Sequence, residues 1–168
     1  SFALEYIQKE TVRKKNELAL KKSEEYTKRI IAASNDCINV LDLEGNLLSM
    51  SEGGQSLLEI DEIALYLNKS WVDFWKGDDH KAALEAISLA INGNVNVFTG
   101  FCPTAKGKPK WWEIVISPII DDQGKINSLL AVSRDISERK KAEEEIITAK
   151  EKAEESDRLK TAFLHNIS

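Results

Sequence analysis

Side chains that commonly carry out enzyme chemistry are few in this chain. Its two histidines are His80, at the predicted start of a helix, and His165, near the end of the chain. Neither is placed to form a Ser-His-Asp or Cys-His arrangement for nucleophilic catalysis. The two cysteines, Cys37 and Cys102, lie far apart and near no histidine cluster, which argues against a zinc site or a disulfide framework and fits a reduced, cytoplasmic protein. We therefore expect no catalytic residue and no metal site.

The distribution of charge argues against nucleic acid as the main partner. Lys plus Arg number 23 and Asp plus Glu number 28, which gives a net charge of −5. Residues 34–135 hold 8 basic and 15 acidic side chains and no basic cluster. The pairs Asp78-Asp79 and Asp121-Asp122 could attract a cation, but helix capping and turn formation explain them. No apolar run reaches the roughly 18–20 residues that span a membrane, so we expect no membrane contact here.

Aromatic and branched residues are the candidates for a binding site. In the predicted strand 110–120, period-two alternation puts Trp112, Ile114 and Ile116 on one face and Trp111 on the other. A pocket for a small organic ligand could be lined by Trp71, Trp75, Ile87, Phe98, Trp112, Ile114 and Ile116. The alternative is that these side chains form an ordinary core. We favour the core interpretation, because no charged or polar cluster is predicted to converge with them.

Three segments position these residues. Residues 1–33 lack Gly and Pro, are rich in helix formers and carry a weak heptad seam. Residues 34–135 contain all three prolines and all four tryptophans and are predicted to form the globular domain. Residues 136–168 are again helical. Their apolar positions repeat at spacings of four and three, and the predicted dimer seam consists of Ala142, Ile146, Ala149, Ala153 and Phe163.

The globular segment alternates between strand and helix patterns in an α+β arrangement. Two strands, a helical stretch and a three-stranded meander predict an antiparallel sheet with helices on one face. The longest internal helix should begin at the caps Asp78 and Asp79 and end before Gly93. Its predicted inward face consists of Ala83, Leu84, Ile87, Ala90 and Ile91. The predicted strands are 37–43, 47–51, 95–102, 110–120 and 126–133.

Three stretches of the chain resemble a PAS domain, the five-stranded sensory fold of bacterial signalling proteins. They are VLDLEGNLLSMSEGGQSLLEID (40–61), GFCPTAKGKPKWWEIVISPI (100–119) and AVSRDISERKKAEEE (131–145). PAS domains typically end in Asp-Ile-Thr followed by a charged helix, and the equivalent residues are Asp135, Ile136 and Ser137. The resemblance implies a PAS fold flanked by coiled-coil helices, with this triplet relaying the signal. From the residues alone, Asp135 and Glu138 resemble a capping box.

The closing stretch ESDRLKTAFLHNIS (155–168) resembles the approach to the phosphoacceptor box of a sensor histidine kinase. In that family Phe-Leu-Ala-Asn-Met/Ile-Ser is followed at once by the phosphorylated histidine. The matching residues are Phe163, Leu164, Asn166, Ile167 and Ser168. The resemblance places the phosphoacceptor immediately after Ser168. His165 occupies the position of the usual Ala, so we do not assign it that role.

The family resemblance also bears on cofactors. Some PAS domains bind haem through a histidine on the long central helix, but His80 lies at the start of that helix and the ligand position falls near Ala83. Flavin-binding relatives use an Asn-Cys-Arg-Phe-Leu motif that is missing here, and Cys37 lies in the first strand. The first observation argues against haem, and the second argues against flavin. We expect no cofactor in these residues, and ATP with Mg²⁺ only in the parent kinase.

Together, the resemblances imply a sensory and dimerisation module of a two-component sensor histidine kinase. The module itself would not be an enzyme. It would form a homodimer, and its parent would pass a phosphoryl group to a response regulator in a phosphorelay. Two alternatives stay open: a structural relay that binds no ligand, and a PAS module of another output enzyme, such as one that acts on cyclic dinucleotides.

Overall fold

The computed structural model of the protein describes residues 1–167 and confirms the α+β prediction. Five antiparallel strands form one sheet, and a long helix lies at each end of the chain. Two short 3₁₀ helices, Ile63–Leu65 and Trp71–Phe74, precede the third α-helix. In chain order the other elements are α1 (Phe2–Ala33), β1 (Cys37–Leu41), β2 (Leu47–Met50), α2 (Glu52–Leu57), α3 (Gly77–Ile91), β3 (Asn96–Phe101), β4 (Trp111–Ile120), β5 (Ile126–Asp135) and α4 (Ser137–Ile167).

The order of strands brings both long helices to one end of the sheet. The strands lie in the order β2-β1-β5-β4-β3, so β5 pairs with both β1 and β4. Cys37 at the start of β1 pairs with Ser133, and Trp112 near the start of β4 pairs with Asp135. The chain therefore enters β1 from α1 and leaves β5 for α4 at the same end of the sheet.

Alternation along β4 buries one face of the strand, as the sequence predicts. Trp112, Ile114 and Ile116 lie in the core, whereas Trp111 is 38% exposed on the other face. Phe101 packs edge-on against Trp111, with 5.5 Å between the ring centroids. The predicted division of the two tryptophans between the faces of the sheet is therefore confirmed.

The inward face of α3 differs from the prediction. Ala83, Ala86, Ile87 and Ala90 are buried, while Leu84 and Ile91, which the sequence analysis assigned to this face, are exposed. The side chains of Leu84 and Ile91 lie beside the buried stripe, because successive side chains of a helix point in directions about 100° apart. Three of the four buried residues are alanines, so the helix packs close to the core and leaves no space there for larger side chains.

The start of α3 also differs from the prediction. Lys76 holds the N-cap position and makes no side-chain capping bond. Asp78 and Asp79 lie in the first turn instead, where a negative charge is favourable to the helix dipole. Asp79 Oδ2 accepts a hydrogen bond of 2.9 Å from the backbone N–H of Phe101, which joins α3 to β3. Across residues 1–167, no helix combines the length and apolar character that a membrane span needs.

Candidate functional site

A small cavity lies between the inner face of the sheet and the segments that precede α3. Its volume is about 20 Å³, which is room for about one water molecule. Three of the predicted binding residues, Trp71, Trp75 and Trp112, belong to its wall. The full lining consists of Cys37, Asn39, Met50, Leu58, Trp71, Phe74, Trp75, Cys102, Trp112 and Ser133.

Aromatic packing fixes one wall of this cavity. The ring of Trp75 meets Trp71 and Phe98 edge to face, with centroid distances of 5.5 and 5.4 Å. Gly100 allows this arrangement, because a Cβ atom there would lie 2.9 Å from the six-membered ring of Trp75. Edge-to-face pairs of this kind contribute about 0.5–1.5 kcal/mol each beyond the burial of their area. The wall is therefore held in one arrangement.

The remaining predicted binding residues lie apart from the cavity lining. Ile87, Ile114 and Ile116 are buried in the hydrophobic core, and Phe98 packs behind Trp75. The predicted binding residues therefore form two groups, one that lines the cavity and one that belongs to the core. Branched side chains at inward positions of a strand or helix fill the interior whether or not a ligand is bound, so their spacing alone does not distinguish the two roles.

Polar groups do converge at the cavity, contrary to the sequence-based expectation. Asn39 and Ser133 are buried and line it. The indole N–H of Trp75 is buried and has no hydrogen-bond partner among residues 1–167. Period-two alternation in β1 already places Asn39 on the same face as the buried Leu41, so this inward amide could have been predicted.

Both cysteines also line the cavity, as free thiols. Burial raises the pKa of Cys37 to about 12 and that of Cys102 to about 11, so both are protonated at neutral pH. The Cys37 thiol donates to Asn39 Oδ1 over 3.6 Å. The backbone carbonyl of Cys102 accepts a hydrogen bond of 2.9 Å from the indole of Trp112. The cavity wall is therefore tied to β4.

The predicted relay triplet forms the junction between the sheet and α4. Asp135 Oδ2 binds the ammonium of Lys110, and Asp135 Oδ1 accepts hydrogen bonds from the N–H and Oγ of Ser137 at 2.9 and 2.6 Å. Burial raises the pKa of Asp135, but the bonds from Lys110 and Ser137 outweigh it and hold this pKa below its usual value. Ile136 is buried, and its N–H donates to the carbonyl of Trp111.

Capping at this junction differs from the predicted capping box. The helix begins at Ser137, and the Asp135 carboxylate bonds to the N–H two residues further on. In a capping box the bond would reach the third residue of the helix. The side chain of Asp135 therefore closes a tight turn around Ile136 and fixes the direction in which α4 leaves the sheet.

Further contacts tie the first turn of α4 to the start of β4. Ser137 Oγ accepts a hydrogen bond of 3.0 Å from the N–H of Trp111, and Arg139 pairs with Glu113 over 2.9 Å. The ammonium of Lys140 lies 5.4 Å from the centre of the Trp111 ring. Sequence reasoning missed these partners, because each contact joins residues at least 26 positions apart that only the strand register brings together.

A second ion pair joins the segment after α1 to the same end of the sheet. The guanidinium of Arg134 binds Asp36 through two hydrogen bonds of 3.1 Å each. The N–H of Asp36 in turn donates to Ser34 Oγ, directly after α1. Arg134 precedes the Asp135 junction by one residue, so the ends of both long helices are connected through neighbouring side chains.

The predicted dimer seam is exposed along α4. Ile146 and Phe163 are 69% and 65% exposed, and Ala142, Ala149 and Ala153 are also exposed. Of the residues that match the phosphoacceptor box, the first four lie at the end of α4, and Ser168 is outside the described residues. None of these seam residues is buried by other parts of residues 1–167, and association of two chains would explain such an exposed apolar stripe.

Comparison with known proteins agrees with this architecture. The family model described as the PAS fold matches residues 31–141. A PAS domain of an HTR-like protein from Haloarcula marismortui is 23% identical, with a TM-score of 0.59 over 73% of this chain and 99% of the other. A PAS domain from Colwellia psychrerythraea is 21% identical, with a TM-score of 0.59 over 71% and 98% of the two chains.

A further similar structure comes from a protein described as a diguanylate cyclase. The N-terminal domain of a diguanylate cyclase with a PAS/PAC sensor from Marinobacter aquaeolei is 14% identical, with a TM-score of 0.52 over 62% of this chain and 97% of the other. The curated proteins contain no significant match. At these identities the solved structures show the fold alone, whereas the family model covers well over half of the sequence. The chain belongs to the PAS fold family.

Proposed function

We propose that this chain is the sensory and dimerisation module of a two-component sensor histidine kinase. The observation that carries the proposal is the residue pattern from Phe163 to Ile167 at the end of a helix that begins, without interruption, at the junction residue Ser137. The module is cytoplasmic and acts as a homodimer through the exposed seam. Its parent uses ATP and Mg²⁺ to phosphorylate a histidine directly after Ser168 and then transfers the phosphoryl group to a response regulator.

The proposed relay follows contacts from the cavity to α4. A ligand in the cavity, or movement of α1, would displace Cys102 and Trp112, which are joined by a hydrogen bond. The N–H of Cys102 also bonds to the carbonyl of Lys110, whose ammonium holds Asp135. A change in the contact between Lys110 and Asp135 would alter the direction or rotation of α4. The mechanism needs two arrangements of this junction with different kinase output.

A structural relay without a small organic ligand is the second candidate function. The volume of about 20 Å³ favours it, because an organic molecule would have to displace packed side chains. In that case the signal enters through α1 and reaches α4 through the Asp36–Arg134 ion pair. The two candidates share the junction and differ only in where the signal originates.

Phosphorylation of the full-length parent tests the kinase role. The purified protein is incubated with ATP and Mg²⁺, and the modified residue is located by mass spectrometry under conditions that preserve phosphohistidine. We expect phosphorylation at the residue after Ser168, and none when that residue is replaced by Gln. His165→Gln is the matched control and should leave the phosphorylation intact. Formation of a cyclic dinucleotide from GTP, or a residue other than His after Ser168, would overturn the proposal.

A further inference from the structure

The two edges of the sheet differ in how much of their backbone is covered. The edge strand β2 has four residues, and a later segment of the chain lies along it. The N–H of Leu47 donates to the carbonyl of Lys69 over 2.9 Å, and the carbonyl of Leu47 accepts from the N–H of Asn68 over 2.7 Å. The other edge strand, β3, has six residues, and no strand of residues 1–167 pairs with its free side.

The ladder with β4 shows which backbone groups β3 turns to its free side. In an antiparallel pair, residues that bond to the neighbouring strand alternate with residues whose N–H and C=O groups face away from it. Cys102, directly after β3, donates its N–H to the carbonyl of Lys110 over 3.1 Å and continues the β3–β4 register. The even-numbered residues of β3 therefore bond to β4. The residues whose backbone groups face the free side are Val97, Thr99 and Phe101.

A contact from α3 agrees with this direction. Asp79 Oδ2 accepts a hydrogen bond of 2.9 Å from the N–H of Phe101, which must therefore point away from β4. The N–H groups of Val97 and Thr99 face the same side without a comparable contact from residues 1–167. These two donors, and the carbonyl groups of all three residues, are available to a further strand.

The sequence around β3 lacks the features that commonly protect an edge strand. Charged side chains, proline and bulges prevent edge strands from pairing with other chains. Residues 86–105 hold no charged side chain, although 30% of the whole chain is charged. The strand itself contains no proline, and its register with β4 has no shift. Val97 is 58% exposed, and Val95, just before the strand, is 63% exposed.

We propose that β3 pairs antiparallel with β3 of a second copy of this chain, so that the two sheets join edge to edge. With Val97 opposite Thr99 of the second copy, the free N–H and C=O groups of both residues bond across a two-fold axis. Phe101 keeps its hydrogen bond to Asp79 in this register. Val95 then lies opposite Phe101 of the second copy, and such pairs of β-branched and aromatic residues stabilise antiparallel strands.

A second copy suits this edge because the pairing is self-complementary. The same uncharged segment, 86–105, approaches from both sides, so no like charges of the paired strands meet, although the chain as a whole has a net charge of −5. Each copy offers the same donors and acceptors that it needs from the other. The contact is therefore isologous and closes after two copies.

This contact is separate from the seam proposed along α4. Strand β4 lies between β3 and β5, the strand that leads into α4, and no seam residue belongs to β3. Pairing of two edge strands buries less surface than the roughly 1,200–2,000 Å² of a stable interface, so we expect a weak, concentration-dependent contact. In a dimer formed through α4, pairing at β3 would join dimers into larger assemblies. The inference does not depend on the proposed kinase role.

Amide hydrogen exchange tests the pairing at single residues. NMR measures exchange in the Ile146→Asp variant, whose α4 seam is disrupted, at low and high protein concentration. We expect exchange at Val97 and Thr99 to slow at least tenfold at high concentration, because their N–H groups gain acceptors in the second copy. Exchange at Phe101 should not change, since Asp79 binds its N–H at every concentration. Association without protection at Val97 and Thr99 would place the contact on another surface and overturn the proposal.

Sedimentation of edge variants, also in the Ile146→Asp background, provides a second test. Val97→Lys brings a positive charge from each copy to the contact and should weaken self-association at least tenfold. Leu48→Lys is the matched control, because it adds the same charge at an exposed apolar position of the other edge strand and should leave association unchanged. Circular dichroism checks that both variants fold. Equal association of the two variants, or no self-association of the Ile146→Asp variant itself, would contradict pairing through β3.

Discussion

Asp135 joins the sheet to α4, because its two carboxylate oxygens bind different elements. One binds Lys110 at the start of β4, and the other holds the first residue of α4, Ser137. The side chains of Lys110 and Asp135 are 11% and 24% exposed, so the pair is largely shielded from water. Loss of either partner would leave a poorly solvated charge, which costs more than the loss of an exposed ion pair.

We predict that Asp135→Asn destabilises the folded chain by about 1–3 kcal/mol, because Lys110 loses its counter-charge in a shielded position. Urea unfolding followed by circular dichroism measures the change. Asp61→Asn is the matched control: Asp61 pairs with Lys106 at an exposed site, and its loss should cost no more than about 0.5 kcal/mol. Equal changes in the two variants would contradict the importance assigned to the junction.

The lowered pKa of Asp135 also predicts how stability depends on pH. A carboxyl group whose folded-state pKa is depressed stabilises the fold above its unfolded pKa, about 4, and loses this contribution as the pH falls through the folded value. The difference in unfolding free energy between the wild type and Asp135→Asn should therefore be constant above about pH 5 and shrink below about pH 4. A difference that stays constant down to pH 2 would refute the assignment.

At the scale of single residues, sequence reasoning succeeded where alternation decides burial. It placed Trp112, Ile114 and Ile116 inward and Trp111 outward, because a strand has only two faces. It failed for Lys110 and Cys102, whose roles depend on which strands are neighbours. The register that pairs Trp112 with Asp135 is a tertiary property, and no local pattern encodes it.

Among the elements, α4 is, like α1, a long helix without a buried face. It has 31 residues, none of them buried, and Ile146 and Phe163 are largely exposed. A helix of this kind draws most of its stability in proteins from packing of an apolar face. The junction at Asp135 secures only its first turn, so association through the seam is the simplest source of the remaining stabilisation.

We predict that Ile146→Asp weakens the proposed homodimer, because it would bury a charge in the proposed seam between two copies of α4. Native mass spectrometry and sedimentation over a range of concentrations measure the effect, which should be at least tenfold in the dissociation constant. Ile147→Asp is the matched control, since it changes the same residue type at the next position, off the seam. Equal dimerisation of the two variants would show that the seam is misassigned.

Element boundaries were largely predictable, whereas helix faces were not. All five strands lie at the predicted places, because turn residues and alternation mark them clearly. The face of α3 was predicted incorrectly at Leu84 and Ile91. Side-chain size explains this error. The buried alanines allow α3 to approach the sheet closely, whereas a prediction that favours large apolar residues selects the wrong face of the helix.

At the scale of the whole molecule, both long helices meet the sheet at one end. Asp36 follows α1 and binds Arg134, the neighbour of Asp135, so movement of α1 has a short path to α4. Under the proposed kinase role, rotation of α4 along this path would reorient the segment that resembles the phosphoacceptor box. Such rotation requires that α4 behaves as a rigid helix.

Kinase output of the proposed parent after insertion of one alanine between Lys141 and Ala142 tests rigid coupling through α4. These positions lie beyond the contacts of Lys140, so the junction stays intact, while the rest of α4 is rotated by about 100°. In the full-length protein we predict at least a threefold change in the rate of autophosphorylation. A seven-residue insertion, which restores the seam to within about 20°, should keep the original rate. Identical rates in the wild type and both insertion variants would contradict rigid coupling through α4.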